Sequence, residues 1–263
     1  HLIESGRRSS QIFIMGEVLS DLNSELSPTV DTISNTLVGR IISLSLAMKP
    51  YRYLEGDVLV QKPLSPERGQ LFTALIASGL RPDFLQRKIY GTALFEYSDL
   101  KNTVYLKTDF SNAKFNHANF NGARLDSSVF YNTHLQYSDF SDSFLSQTDF
   151  KNAKLYRANF KDAKITNSTN FECALLIEAN LQGLTLGPLN LKGANLTNAK
   201  LQNVDFSNLK SLDSVKIGRF HWISYIKDSL QLKGAQEVEN NYYVDSIVRF
   251  PGSGKLPMLL KKN

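Results

Sequence analysis

The chain has 263 residues, 42% of them hydrophobic and 21% charged, which fits a folded protein and argues against disorder. Its formal net charge of +5 is spread thinly: residues 1–92 hold 10 Lys and Arg against 9 Asp and Glu, residues 93–216 hold 13 against 12, and residues 217–263 hold 7 against 4. That balance gives no concentrated field for a nucleic acid, and the single cysteine, Cys173, excludes an intrachain disulfide and a cysteine-rich zinc site.

In chain order, apolar positions Ile12, Ile14, Met15, Val18, Leu19, Leu22 and Leu26 predict a helix within residues 5–25. A second helix is expected over Thr36–Met48, capped by Asp31 or Thr32, and a short strand around Val58–Val60. Ser65-Pro66-Glu67-Arg68 is a strong helix start, with a hydroxyl cap, proline at the first position and a carboxylate near the positive end of the dipole; the helix should stop at Gly79. The longest uncharged apolar run near the start, Ile41–Met48, is far short of the roughly 20 residues of a membrane span. The chain opens at His1 rather than Met, so segments upstream are expected.

From Phe95 a large apolar residue recurs every five positions, through Phe110, Phe115, Phe120, Leu125 and Phe130 to Ile165. Two residues before most of them sits a small one, such as Ala118, Ser128, Thr133 or Ala158. One extra residue within Thr166–Ser168 shifts the register, which resumes at Phe171 and runs to Phe206. A period of five matches neither helix nor ordinary strand. It fits a chain that turns a corner every five residues and closes a coil every twenty, pointing one large and one small residue inward on each side. Phe at 110, 120, 130, 140, 150 and 160 alternates with aliphatics at 125, 135, 145, 155 and 165, so Phe120, Phe140 and Phe160 should form one ladder and Phe110, Phe130 and Phe150 another. Leu184 and Leu189, large where the pattern wants small, should widen or bulge their coils.

The units Ala118-Asn119-Phe120, Ala158-Asn159-Phe160, Ala179-Asn180-Leu181 and Ala153-Lys154-Leu155 resemble the pentapeptide-repeat family. The resemblance implies a mainly β chain: a right-handed quadrilateral β-helix over 93–216, an α-helical N-terminal cap over 1–92, and a small helix-plus-hairpin C-terminal cap over 217–263. For the last part, Phe220–Leu230 reads as a helix, and Tyr242–Arg249 and Lys255–Leu260 read as strands joined through Pro251-Gly252-Ser253-Gly254. The stretch Lys62–Leu80 is similar to the segment preceding the repeats in bacterial, often membrane-anchored, members. That likeness implies a bacterial protein, cytoplasmic or on the cytoplasmic face of the inner membrane, held there by an upstream segment.

Little in the sequence suggests chemistry. Gly252-Ser253-Gly254-Lys255 lacks the spacing of a phosphate loop and reads as a hairpin turn. The histidines, His1, His117, His134 and His221, show no metal-ligand spacing, and Cys173 has no activating neighbour in sequence. No enzyme, cofactor or metal is expected. The outward positions, stacked in columns twenty apart, offer one basic and aromatic side: Lys114, His134 and Lys154, then Tyr156, then His117, Tyr137 and Arg157. Arg124, Phe144 and Lys164 lead the opposite side, while Asp99 and Asp139 and then Asp109 and Asp149 lead the other two. The expected role is a non-enzymatic scaffold whose partner is another protein. The alternatives are a DNA mimic that protects a topoisomerase, which the near-neutral repeats disfavour, and binding to an anionic polymer or lipid surface.

Overall fold

The computed structural model describes residues 2–27, 30–184, 188–219, 221–245, 249–250, 254–255 and 257–262. Contacts divide the chain into two compact units, residues 1–100 with 111–119, and residues 101–110 with 120–263.

The first unit opens with α1 (Leu2–Glu25) and α2 (Asn35–Ala47). Met15, Val18 and Leu22 of α1 are buried at helical spacing, whereas Ile12 and Ile14 stay exposed, so the apolar stripe is narrower than the sequence suggested. The cap of α2 is Ser34, not Asp31 or Thr32. Its hydroxyl accepts from the Leu37 amide at 3.2 Å, and Glu25 binds both the Ser34 amide and hydroxyl, while Asp31 pairs with Arg81. The hairpin β1 (Leu54–Glu55) and β2 (Val58–Leu59) leads into α3 (Pro66–Ala77), which Ser65 caps as expected and which ends at Gly79 in the left-handed region. A short helix α4 (Pro82–Leu85) continues into a π-helical turn, Gln86–Tyr90.

Two charged residues at the start of α3 are buried. Arg68 donates to the carbonyls of Ser45 and Glu96, and Glu67 receives Arg8 at 3.0 Å and the Tyr51 hydroxyl at 2.7 Å. Charges withdrawn from water stay ionised only with such partners. Burial lowers the Arg68 pKa, and the carboxylate of Glu96 works against that shift. Ser65 lies along the first coil as an added edge: its amide donates to the Tyr97 carbonyl and its carbonyl accepts from Asp99. Gly69 permits this approach, because a Cβ there would stand 2.3 Å from the Asp99 carbonyl oxygen. Phe72 turns its ring edge-on to Phe95 and Phe115, with centroids 5.0 and 4.9 Å away.

The second unit is built on coils of twenty. Parallel bridges join Arg124 to Phe144, Val129 to Asp149, His134 to Lys154 and Asp139 to Asn159. The amide of each central residue donates to the next coil, as in Phe120 to Asp139 and Phe140 to Asn159, both at 2.7 Å. Phe120, Phe140 and Phe160 stack nearly parallel with centroids 4.8 and 5.0 Å apart, and Phe110, Phe130 and Phe150 at 4.4 and 4.9 Å. The two ladders meet edge to face, Phe130 against Phe140 at 5.8 Å, so each ring is both stacked and T-packed. The small inward positions carry hydroxyls that find carbonyls: Thr133 donates to Phe110, Ser143 to Phe140, and Thr148 to Leu125. That satisfies polar atoms no water reaches.

The register slip falls where expected. Asp149 pairs with Asn170 and Lys154 with Leu175, twenty-one apart, and spacing returns to twenty at Leu175 with Asn195. Thr169 takes the inward place, its hydroxyl donating to the Leu145 carbonyl at 2.6 Å. Strands β3 (Thr169–Asn170), β4 (Leu189–Asn190) and β5 (Leu209–Ser211) run parallel; β3 meets β4 at a regular spacing of twenty, whereas Asn190 pairs with Ser211, so the extra residue sits on β5 rather than at Leu189. Leu186 lies outside the described residues.

After the repeats the expected helix is replaced by a single α-turn, α5 (Trp222–Ser224), and a π-helical turn, Tyr225–Ser229; Phe220 lies outside the described residues. An unexpected α6 (Ala235–Asn241) follows, entered through Gly234 at φ 80°, where a Cβ would collide with the Phe206–Ser207 backbone. β6 (Val215–Lys216) belongs to the coil. β7 (Tyr242–Asp245), β8 (Arg249–Phe250), β9 (Gly254–Lys255) and β10 (Met258–Lys261) complete the chain. β10 pairs antiparallel with both β7 and β6, and β8 with β9, as a hairpin requires. Residues 251–253 of its turn lie outside the described residues.

Phe140→Ala removes a ring packed between four others, and unfolding should lose about 3–5 kcal/mol. Chemical denaturation measures this; a midpoint close to wild type would mean the ladder register is wrong.

Candidate interaction face

The corner that ends each five-residue side holds one residue with positive φ, two places after the central apolar residue. In the second unit the corners after Phe120, Phe130, Phe140, Phe150 and Phe160 are filled by Gly122, Asn132, Asp142, Asn152 and Asp162, types that accept this conformation, and the corner after Phe171 by Cys173. After Leu125, Leu135, Leu145, Leu155 and Leu176 the corners instead hold Ser127, Tyr137, Gln147, Arg157 and Glu178, whereas after Leu100, Leu181, Leu191, Leu196 and Leu201 they are again Asn102, Gly183, Gly193, Asn198 and Asn203. A left-handed residue with an ordinary side chain costs on the order of 1–2 kcal/mol. Tyr137 and Arg157 therefore occupy their positions against a local backbone cost, and the alternation was not visible until the corners were located.

Their side chains form a cluster. Tyr137 and Tyr156 meet edge to face at 5.5 Å. The Arg157 guanidinium lies 5.0 Å from the Tyr156 centroid and 5.8 Å from that of Tyr137. Glu178, twenty-one residues on across the slip, binds Arg157 Nε at 2.7 Å and accepts from the Tyr156 hydroxyl at 3.4 Å. The hydrogen bond that Arg157 donates to Glu178 raises the Arg157 pKa, and burial raises that of Tyr156. Glu178 was missed in the sequence because its partnership depends on the shifted register. Its carboxylate makes this side less basic than the columns suggested. Beside the cluster, Lys154 Nζ lies 2.8 Å from His134 Nε2; with the ammonium as donor, this contact requires a neutral imidazole.

Lys114 and His117 belong to the first unit. There the His117 ring stacks on Tyr97 at 4.5 Å, within 2° of parallel, and Asn116 donates to Glu96 at 2.8 Å. Of the seven residues singled out, the structure joins Tyr137, Tyr156 and Arg157 in one cluster and His134 with Lys154 in a pair. Cys173 is exposed, at a left-handed corner. Among the described residues no group of three or more His, Cys, Asp or Glu could hold a metal ion. Among the same residues no helix is long and apolar enough to cross a membrane.

The twenty-residue return, the paired inward residues and the corner geometry accord with a match to the model for pentapeptide repeats, in eight copies, over residues 93–130, 128–167 and 169–208. Across this stretch the chain belongs to the pentapeptide-repeat family. The repeats form a right-handed β-helix. Among solved structures the chain is similar to a pentapeptide repeat protein involved in heterocyst differentiation regulation from the cyanobacterium Nostoc (29% identity, TM-score 0.30), over 44% of this chain and 51% of that one. It is also similar to a pentapeptide repeat protein from the Arabidopsis thaliana thylakoid lumen (23%, TM-score 0.29; 51% and 73%). A third is a plasmid-mediated fluoroquinolone resistance protein (18%, TM-score 0.20; 52% and 89%). The chain thus spans about half the length of the first of these. No curated protein matches by sequence.

Burial against Tyr97 and its surroundings lowers the His117 pKa from 6.5. With the folded value below the unfolded one, the unfolded state binds more protons between the two. Stability therefore falls as pH drops below 6.5 through the folded pKa. An NMR titration of the His117 ring should give a midpoint below 6.5, and His117→Gln should remove that part of the acid sensitivity; a midpoint at or above 6.5 would contradict the half-buried stack.

Proposed function

We propose that the pentapeptide repeats act as a non-enzymatic interaction scaffold, a quadrilateral coil with protected ends whose side chains dock another protein. The Tyr137, Tyr156 and Arg157 cluster carries this reading, because aromatic and arginine side chains held in place lose little freedom on binding and dominate interface energies. His134 and Lys154, in the same unit, extend the proposed face. The ends support the scaffold: Ser65 occupies the edge of the first coil in one unit, and β10 pairs with β6 of the last coil in the other, which blunts strand edges that would otherwise aggregate. The proposed setting is bacterial, in the cytoplasm or at the inner face of its membrane.

A topoisomerase-protecting DNA mimic would need an acidic surface. The repeats carry 13 cations against 12 carboxylates over residues 93–216, which does not supply one.

The test is a pull-down from native extract, followed by alanine variants measured against the captured partner. Tyr137→Ala and Arg157→Ala should each weaken binding by about 2 kcal/mol or more. Asp139→Ala and Asn159→Ala, on the neighbouring amide-lined side, should leave it nearly unchanged. Equal losses from both sides, or none from either, would remove this face as the docking site.

A further inference from the structure

The opposite side of the coil in the second unit has a different electrostatic character. Parallel bridges set Val104, Arg124, Phe144 and Lys164 in one column. The ring of Phe144 is flanked by cations from the coils before and after it, with Arg124 Cζ 5.8 Å and Lys164 Nζ 4.6 Å from its centroid. Among the described residues neither cation has a carboxylate partner within ion-pair distance, whereas Arg157 is neutralised by Glu178. Asp126, in the adjacent column, instead accepts from the Ser146 amide at 3.0 Å. Val104 and Leu106 on the same side are 59% and 50% exposed.

We propose that the Val104–Arg124–Phe144–Lys164 column is a second docking surface, for an extended acidic segment of another protein that carries apolar residues on one flank of its carboxylates. The two cations stand two coils apart, roughly 10 Å at about 4.8 Å per coil. Carboxylates two or three residues apart on an extended segment, at about 3.3 Å per residue, reach both once the flexible cationic side chains adjust. The aromatic ring holds the cations over itself, so less side-chain entropy is lost when an anion arrives. Exposed Val104 and Leu106 give the apolar residues of the segment a place to pack.

A single-stranded nucleic acid fits less well. The ring of Phe144 is engaged by two cations rather than free to stack a base, and Val104 and Leu106 match no part of a sugar–phosphate backbone.

The test uses the whole chain and a labelled, unstructured peptide with glutamates two residues apart and leucines at alternate positions on one flank of them. A lysine version of the peptide, a single-stranded oligonucleotide and vesicles containing anionic lipid serve as the other arms. The glutamate peptide should bind in preference to all three. Arg124→Glu with Lys164→Glu should weaken it roughly tenfold or more, as expected for reversing two surface ion pairs, with the thermal midpoint unchanged. Phe144→Leu should weaken it by a smaller factor, because both charges remain but are no longer held. Absence of peptide binding, equal binding by the double reversal, or tighter binding of the oligonucleotide or the vesicles would each overturn the proposal.

Discussion

Everything in the second unit depends on the chain returning to the same place after twenty residues, so that the amides of one coil meet the carbonyls of the next. Each side contributes two such bonds, one from its central apolar residue and one from its left-handed corner: Phe130 to Asp149 and Asn132 to Lys151 are one pair, Leu155 to Leu175 and Arg157 to Ile177 another. The corner is what allows the turn without losing the second bond. It holds one residue per side in a conformation that L-residues avoid, and the many inter-coil bonds and buried rings oppose that cost.

A fixed return also decides the surface. Because residues one coil apart sit above one another, a repeated outward residue becomes a ladder. Asn159 donates to Asp139, Asn180 to Asn159, Asn170 to Asp149 and Asn190 to Asn170, each at 2.9 Å, giving two sides lined by amide ladders. The remaining sides break that uniformity with aromatic and cationic residues, one held by Glu178 and the other gathered around Phe144. A side of self-satisfied amides offers a partner little, whereas a side of rings and cations offers apolar area and charge together. This contrast separates the candidate faces from their neighbours.

Much of this was legible in the sequence because five-residue spacing is itself a structural constraint. The inward Phe ladders, the column order and the extra residue near Thr166–Ser168 all follow from counting, and Ser65-Pro66 gave the start of α3 from local chemistry alone. What counting missed depended on distance or on competition. Ser34 displaced Asp31 and Thr32 as a cap: Glu25 of α1 holds the Ser34 amide and hydroxyl, while Arg81, far along the chain, engages Asp31. Glu178 reached Arg157 only through the altered register. A second one-residue irregularity, between Leu209 and Ser211, lies beyond the last regular repeat and left no periodic signal. Ile12 and Ile14 read as core because apolarity marks a stripe without fixing its width.

The extra residue within Thr166–Ser168 is the most sensitive point of the account, since a shift of one position turns every later side chain the other way. Cys173 provides a native probe. At its corner it lies above Asn152, whose amide donates to the Glu172 carbonyl, and below Gly193, where a Cβ would come within 3.0 Å of its Sγ. An uninterrupted count of twenty would instead place Cys173 over Ala153, which is buried and points inward. The decisive measurement is disulfide formation under mild oxidation in Asn152→Cys and Ala153→Cys variants. Asn152→Cys should cross-link rapidly to Cys173, within the usual span of about 4.4–6.8 Å between Cα atoms, and Ala153→Cys should not. Cross-linking through position 153, with position 152 left free, would contradict the register on which the whole surface rests.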